Sequence, residues 1–155
     1  CQTINDHWGY SITDSNYKTP KELIQMLVRA AGKNANLLLN VGPEPGGALP
    51  SLALDRLKAI GEWMNKYGET IYGTRGGIVA PHDWGVSTQR GNKLYIHILN
   101  CMDSSLFVPL GNHKVKSALV YATGKPVNYT KTGNGITLNF GAIPTDIDYI
   151  IALTL

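Results

Sequence analysis

The chain has 155 residues, 43% of them hydrophobic and only 16% charged, with a formal net charge of +3. This length permits a core that buries roughly 70% of the unfolded surface, and no stretch approaches the ~18 unbroken apolar residues of a membrane helix. Wholesale disorder and a bilayer span are excluded, and the scattered basic residues form no phosphate-binding stripe, which argues against nucleic acid as a partner. Glycine, at 17 residues or about 11% of the chain, exceeds the average of ~7% and predicts many turns. Cys1 and Cys101 are too few for a disulfide framework and show no metal-ligand spacing.

Residues 1–18 are polar and rich in turn formers around Trp8, Tyr10 and Tyr17, and read as a loop. Thr19-Pro20-Lys21-Glu22 then supplies an N-cap, a first-turn proline and a third-position glutamate, which starts a helix over 20–31 with Gly32 as its left-handed stop. Asn36-Leu37-Leu38-Leu39-Asn40-Val41 is apolar without alternation and predicts a strand buried on both faces, as in a parallel sheet. Ser51 is placed to cap a second helix, in which Leu54, Leu57, Ile60, Met64 and Tyr67 recur at helical spacing until Gly68.

Beyond Gly73 to Gly77 the apolar residues alternate. Strands are expected at 77–80, 84–89, 94–98, 106–110, 115–123, 136–140 and 147–155, with hairpin turns at Gly91-Asn92 and Gly133-Asn134-Gly135. Seven or eight short strands suggest an antiparallel sandwich. The fold class is therefore α/β plus all-β. Residues 1–74 read as the last α-β-α segment of a (β/α)8-like barrel, and residues 75–155 as an antiparallel β-sandwich domain. One doubly buried strand between two helices cannot cover its own edges, and the chain opens at Cys1 with neither an initiator Met nor a signal-like segment. A C-terminal piece of a longer protein, or a sheet completed by another chain, is the expectation.

The acidic residues offer no general acid/base pair. Glu22 is explained by capping, Asp55 by the first turn of its helix, and Asp146 and Asp148 by one solvated strand edge. His7, His82, His97 and His113 lack metal-ligand spacing, Gly42-Pro43-Glu44-Pro45-Gly46-Gly47 lacks the lysine of a phosphate loop, and nothing calls for a cofactor. The most site-like feature is His7-Trp8-Gly9-Tyr10, where an aromatic beside a hydrogen-bonding residue suits a sugar's apolar face and hydroxyls. An aromatic anchor for a long loop explains the same residues. Asn40 belongs at the working end of its strand, or binds loop backbone.

Four segments carry a resemblance: Thr3-Ile4-Asn5-Asp6-His7-Trp8-Gly9-Tyr10, Asn36-Leu37-Leu38-Leu39-Asn40-Val41-Gly42-Pro43, Ile60-Gly61-Glu62-Trp63-Met64 and Gly68-Glu69-Thr70-Ile71-Tyr72-Gly73-Thr74. In order and spacing they resemble the C-terminal portion of the α-L-fucosidase family, glycoside hydrolase family 29. The resemblance implies a catalytic barrel followed by a β domain, and a retaining reaction using an aspartate nucleophile and a glutamate acid/base with carboxyls roughly 5 Å apart. Both carboxylates would lie upstream of Cys1, so no catalytic residue is carried over and this chain alone is expected to be inactive. Trp8 matches the aromatic of the family's W/F-G-Y motif, a wall of the fucose pocket near the sugar's methyl group. His7 and Tyr10 are its neighbours as substrate-binding candidates, and Cys1 would end the family's W-E-x-C signature, as a small buried side chain or an active-site marker. The implied partners are a fucosylated glycan and the missing barrel portion, and the implied location is exported or lysosomal. The competing reading is a non-catalytic carbohydrate-binding or interaction module, which calls for exposed aromatics clustered on one sandwich face, with Trp84, Tyr95, Tyr121 and Tyr129 as candidates. Asn128-Tyr129-Thr130 is a glycosylation sequon.

Overall fold

A computed structural model describes residues 1–155. Helix α1 (Pro20–Gly32) opens on the expected capping box, in which Thr19 Oγ1 accepts from the Glu22 amide at 3.2 Å and Glu22 Oε2 accepts from the Thr19 amide at 2.7 Å. A cap of this kind is worth about 1 kcal/mol. The expected left-handed stop at Gly32 is corrected: Gly32 is the last helical residue, and the left-handed position is Asn34, at φ 56°. Glycine is required at 32 for another reason, since a Cβ there would lie 2.5 Å from Val86 Cβ on the adjoining sheet.

Helix α2 (Ser51–Tyr67) corrects two further expectations. Pro50 occupies the N-cap with no side-chain cap, so Ser51 lies inside the helix instead of capping it, and Asp55 falls beyond the first turn, which holds no acidic residue. Proline's fixed φ already suits this junction. After Tyr67 the chain tightens into one 3-10 turn, Gly68–Thr70.

Strands β1 (Gln2–Thr3) and β2 (Leu39–Asn40) pair in parallel, Gln2 with Leu39 and Thr3 with Asn40. The segment 1–18 is thus not wholly loop, and the expected strand 36–41 shrinks to two residues paired on one side. Leu38 is 66% exposed, so the expected double burial is not met. Beneath the pair, Ile4, Leu23 and Ala53 form a small buried cluster with Tyr17, Leu39, Val41, Leu57 and Ile60 against it.

The remaining strands are β3 (Arg75–Gly76), β4 (Gly85–Arg90), β5 (Lys93–Ile98), β6 (Ser105–Pro109), β7 (Ser117–Val120), β8 (Asn128–Thr132), β9 (Gly135–Asn139) and β10 (Tyr149–Thr154). They form an antiparallel five-stranded sheet, β3-β4-β5-β10-β7, and an antiparallel three-stranded sheet, β6-β9-β8. Two-residue turns at Gly91-Asn92 and Gly133-Asn134 join Arg90 to Lys93 and Thr132 to Gly135, as the sequence predicts. Gly135 itself is a strand residue, where a Cβ would strike the Val108 carbonyl oxygen at 2.1 Å. No strand forms at 77–80. After Gly77 donates to the Ser87 carbonyl the segment leaves the ladder, and Val79 turns into the core while Ile78 stays exposed. The expected strand 115–123 shortens to four residues, and β8, mostly polar, was not anticipated.

Alternation along the five-stranded sheet assigns its two faces. Leu94, Ile96, Ile98, Ile151 and Leu153 meet Val108, Ile136 and Leu138 of the three-stranded sheet in the largest core cluster. The opposite face presents Val86, Tyr95 and Ile150 to Ile24 and Val28 of α1 and Trp63 of α2. Full burial of each such aliphatic chain contributes about 1.5–3 kcal/mol. Helix α1 thus serves two cores, through Leu23 on one side and Ile24 and Val28 on the other, and Gln25 Nε2 donates to the carbonyls of Leu99 at 2.9 Å and Ile147 at 2.8 Å.

Candidate functional site

The loop after β1 is organised by one carboxylate. Asp14, with a side chain only 2% exposed, accepts through Oδ2 from Asn5 Nδ2 at 2.8 Å, the Asp6 amide at 3.1 Å and His7 Nδ1 at 2.8 Å, and through Oδ1 from the Asn16 amide at 3.0 Å. Three consecutive residues leading to Trp8 are thereby fixed to one side chain. The His7 hydrogen bond, helped by the amides of Asn16 and Asp6, outweighs burial and holds the Asp14 carboxyl below its ordinary value. Asp14 is therefore the ionised acceptor at neutral pH, and His7 Nδ1 carries the proton. The imidazole is 61% exposed, and its Nε2 has no partner in the protein.

Trp8 is 59% exposed and Tyr10 38%. The backbone between them is clamped from β2 and the turn beyond it. Asn40 Nδ2 donates to the Trp8 carbonyl at 2.7 Å, and a Cβ on Gly42 would lie 2.5 Å from the Gly9 carbonyl carbon and 2.6 Å from the Tyr10 amide nitrogen. The parallel pairing of β1 with β2 makes this possible, because it brings both strand ends to the same side. Asn40 thus holds the loop backbone. Behind the loop, Tyr17 packs against the Ile4 cluster, and burial, then the Asp14 charge, push its hydroxyl pKa up.

The structure brings together His7, Trp8 and Tyr10 on one loop. Cys1 is exposed in this chain, just before β1. Asp14 was missed from the sequence. Its one local signal is the bond to the amide two residues ahead, while its reach back to residues 5–7 has no spacing rule.

A second constellation lies within the sheet. Asp148 and Asp146 do not share a solvated strand edge: both precede β10, Asp146 is exposed, and Asp148 is 4% exposed with Oδ2 2.7 Å from His97 Nδ1. His97 Nε2 lies 3.0 Å from Thr88 Oγ1, which lies 2.6 Å from the Thr70 carbonyl oxygen. A carbonyl only accepts, so the Thr88 hydroxyl proton goes to Thr70, Nε2–H donates to Thr88, and a further proton sits between Nδ1 and Oδ2. The order hydroxyl, imidazole, carboxylate resembles a nucleophilic triad. Thr70, Thr88 and His97 are each 0% exposed, so no substrate reaches them, and the chain of bonds ties the 3-10 turn after α2 to β4, β5 and the residue that precedes β10.

The aromatics proposed for a binding face disperse. Tyr95 is 1% exposed and meets Tyr121 edge-on at 5.9 Å, and Glu69 accepts from both hydroxyls as well as from Arg90 and Lys93. Trp84 stacks on His82, and Tyr129 donates to the Val115 carbonyl. They form no shared exposed platform, which removes the feature that favoured a carbohydrate-binding module.

Helices beside a short parallel pair, backed by antiparallel sheets, define a mixed helical and antiparallel-sheet protein, and solved structures share this arrangement over nearly the whole chain. The α-L-fucosidase isoenzyme 1 of Paenibacillus thiaminolyticus matches 99% of the chain at TM-score 0.89 and 39% identity, with 38% of that enzyme covered. A Thermotoga maritima α-fucosidase in complex with fucose matches 98% at TM-score 0.82 and 25% identity, again with 38% covered. Residues 1–69 match the α-L-fucosidase family model. The α-L-fucosidase of Dictyostelium discoideum is 30% identical over 99% of the chain, as is the human plasma α-L-fucosidase, and the chain spans 37% of each. Over nearly its whole length the chain is similar to the C-terminal part of α-L-fucosidases, the family whose model it matches.

Proposed function

We propose that this chain is the C-terminal share of a retaining α-L-fucosidase, which releases terminal α-L-fucose from glycoconjugates through a covalent glycosyl-enzyme intermediate. The observation that carries the reading is the match of 99% of this chain to 38% of the Paenibacillus fucosidase, together with the clamped loop that presents Trp8 beside His7. In this reading residues 1–74 close a (β/α)8-like barrel and residues 75–155 form a β-sandwich domain. The open side of β2 and the exposed Leu38 then face barrel strands supplied by the rest of the protein. Trp8 lines the fucose pocket, with Tyr10 and His7 beside it. The aspartate nucleophile and glutamate acid/base lie outside these residues, which agrees with the absence of an accessible carboxylate pair among them. Relatives named plasma and tissue α-L-fucosidases suit an exported or lysosomal protein, and no helix is long and apolar enough to cross a membrane.

The full-length protein should hydrolyse 4-nitrophenyl α-L-fucoside with α-L-fucose as the first product by NMR, while residues 1–155 alone should not. Intact-protein mass spectrometry with a 2-fluorinated fucosyl inactivator should find one covalent adduct, on a peptide outside this chain. Turnover by residues 1–155 alone, or a β-configured first product, would overturn the reading.

A further inference from the structure

We propose that His7 is a hydrogen-bonding residue for a saccharide hydroxyl beside Trp8, with Asp14 as the positioning residue that fixes its tautomer and direction. The proposal rests on the fucosidase reading and names a recognition device within the same site. Its ground is an asymmetry in the loop. Asp14 is almost wholly buried and engages four donors, yet one of them, His7, is mostly exposed. An exposed imidazole would ordinarily sample several rotamers and both tautomers. Here Nδ1–H is committed to a carboxylate that the Asp6 and Asn16 amides hold in place, and the backbone on the far side of Trp8 is pinned by Asn40 and by the close approach of Gly42.

Two consequences follow. With Nδ1 protonated, the neutral ring presents the lone pair of Nε2 as an acceptor, the complement of a hydroxyl donor. The ring also comes ordered before the ligand arrives, which removes part of the cost of immobilising it on binding. An aromatic face next to a fixed acceptor matches the chemistry of a sugar, whose C–H face stacks while its hydroxyls donate. The hydroxyl could belong to fucose itself or to the sugar that leaves with the other half of the substrate.

The test uses the full-length enzyme with two substrates. 4-Nitrophenyl α-L-fucoside offers only fucose hydroxyls, and 2′-fucosyllactose adds those of a leaving sugar. His7→Ala should lower kcat/KM roughly tenfold, the size of one lost hydrogen bond between uncharged partners. His7→Gln, which keeps an acceptor at similar reach, should recover part of the loss. A loss on both substrates assigns the hydroxyl to fucose, and a loss confined to 2′-fucosyllactose assigns it to the leaving sugar. Asp14→Asn keeps the shape and some of the acceptors. Its side-chain 15N spectrum should show His7 moving from the Nδ1–H tautomer toward an Nε2–H mixture, with a rise in KM larger than any fall in kcat. Values of kcat/KM within twofold of wild type for His7→Ala on both substrates would overturn the proposal, as would an unchanged His7 tautomer in Asp14→Asn. A wild-type enzyme inactive on both substrates would instead overturn the fucosidase reading, and this proposal with it.

Discussion

His97 Nδ1 and Asp148 Oδ2 lie 2.7 Å apart with both side chains sealed from solvent, and no substrate-accessible surface touches either. Removing one member leaves a buried polar or charged group without its partner, a loss of about 3–5 kcal/mol, whereas replacing both with apolar residues is often neutral. Asp148→Ala should therefore lower the urea midpoint severely, and His97→Leu with Asp148→Leu should recover most of it. A loss below about 1 kcal/mol in Asp148→Ala would show that the pair is not held as the geometry implies.

The contact of Gly32 with Val86 gives a prediction of opposite character. A methyl at position 32 overlaps the Val86 side chain, and overpacking of this kind costs about 1–3 kcal/mol. Gly32→Ala and Val86→Ala should each destabilise, the second by opening a cavity. Together they should cost clearly less than the sum, because the new methyl fills the space the valine vacates. Equilibrium unfolding of the three variants measures the coupling, and simple additivity would contradict it.

Gly42→Ala should act on the loop and spare the sheets. Its methyl would force the Gly9–Tyr10 backbone outward, so Trp8 would shift while the main cores stay intact. The full-length enzyme should show KM for an aryl fucoside raised several-fold with an unfolding midpoint within a few degrees of wild type. Asn40→Ala, which frees the Trp8 carbonyl, should move KM in the same direction by less.

Tyr95 supplies a pH dependence with a definite sign. Burial first, then the hydrogen bond to Glu69, push its hydroxyl up to about 12 from the ordinary 10.0. Between those values the unfolded tyrosine has lost its proton and the folded one has kept it, so stability is unaffected below pH 10 and falls as pH rises toward 12. The 295 nm titration of wild type minus that of Tyr95→Phe should show a single step near pH 12. Tyr95→Phe should also flatten the alkaline loss of urea stability. A difference step near pH 10 would contradict the burial.

What could be read from the sequence follows from how local each signal is. Thr19, Pro20 and Glu22 lie within one helical turn, and their capping box appears as expected. The Gly91-Asn92 hairpin is equally local. Asp148 and His97 are 51 residues apart and meet because β10 pairs with β5, so alternation alone placed Asp148 in solvent. Gly32 looked like a helix stop because left-handed conformation is the usual reason for glycine there, and the Val86 contact that requires it is tertiary. Leu38 and its neighbours have the composition of a doubly buried strand, yet this chain supplies a single partner strand. At the candidate site, Trp8 is legible as a motif residue, while Asp14 carries no periodicity and reaches its partners at residues 5–7 only through the fold of the loop.

Helix α1 places Leu23 under the β1–β2 pair and Ile24 and Val28 against the five-stranded sheet, one residue and one turn apart. A rigid cylinder with its sides in two cores cannot rotate to suit one without disturbing the other. Truncation near residue 74 would therefore not release an independent half. It would bare the Ile24 and Val28 stripe, remove both acceptors of Gln25, and loosen the platform beneath the Trp8 loop. The antiparallel sheets thus act as a splint for the Trp8 loop, and cooperative melting of the two parts is the behaviour this helix dictates.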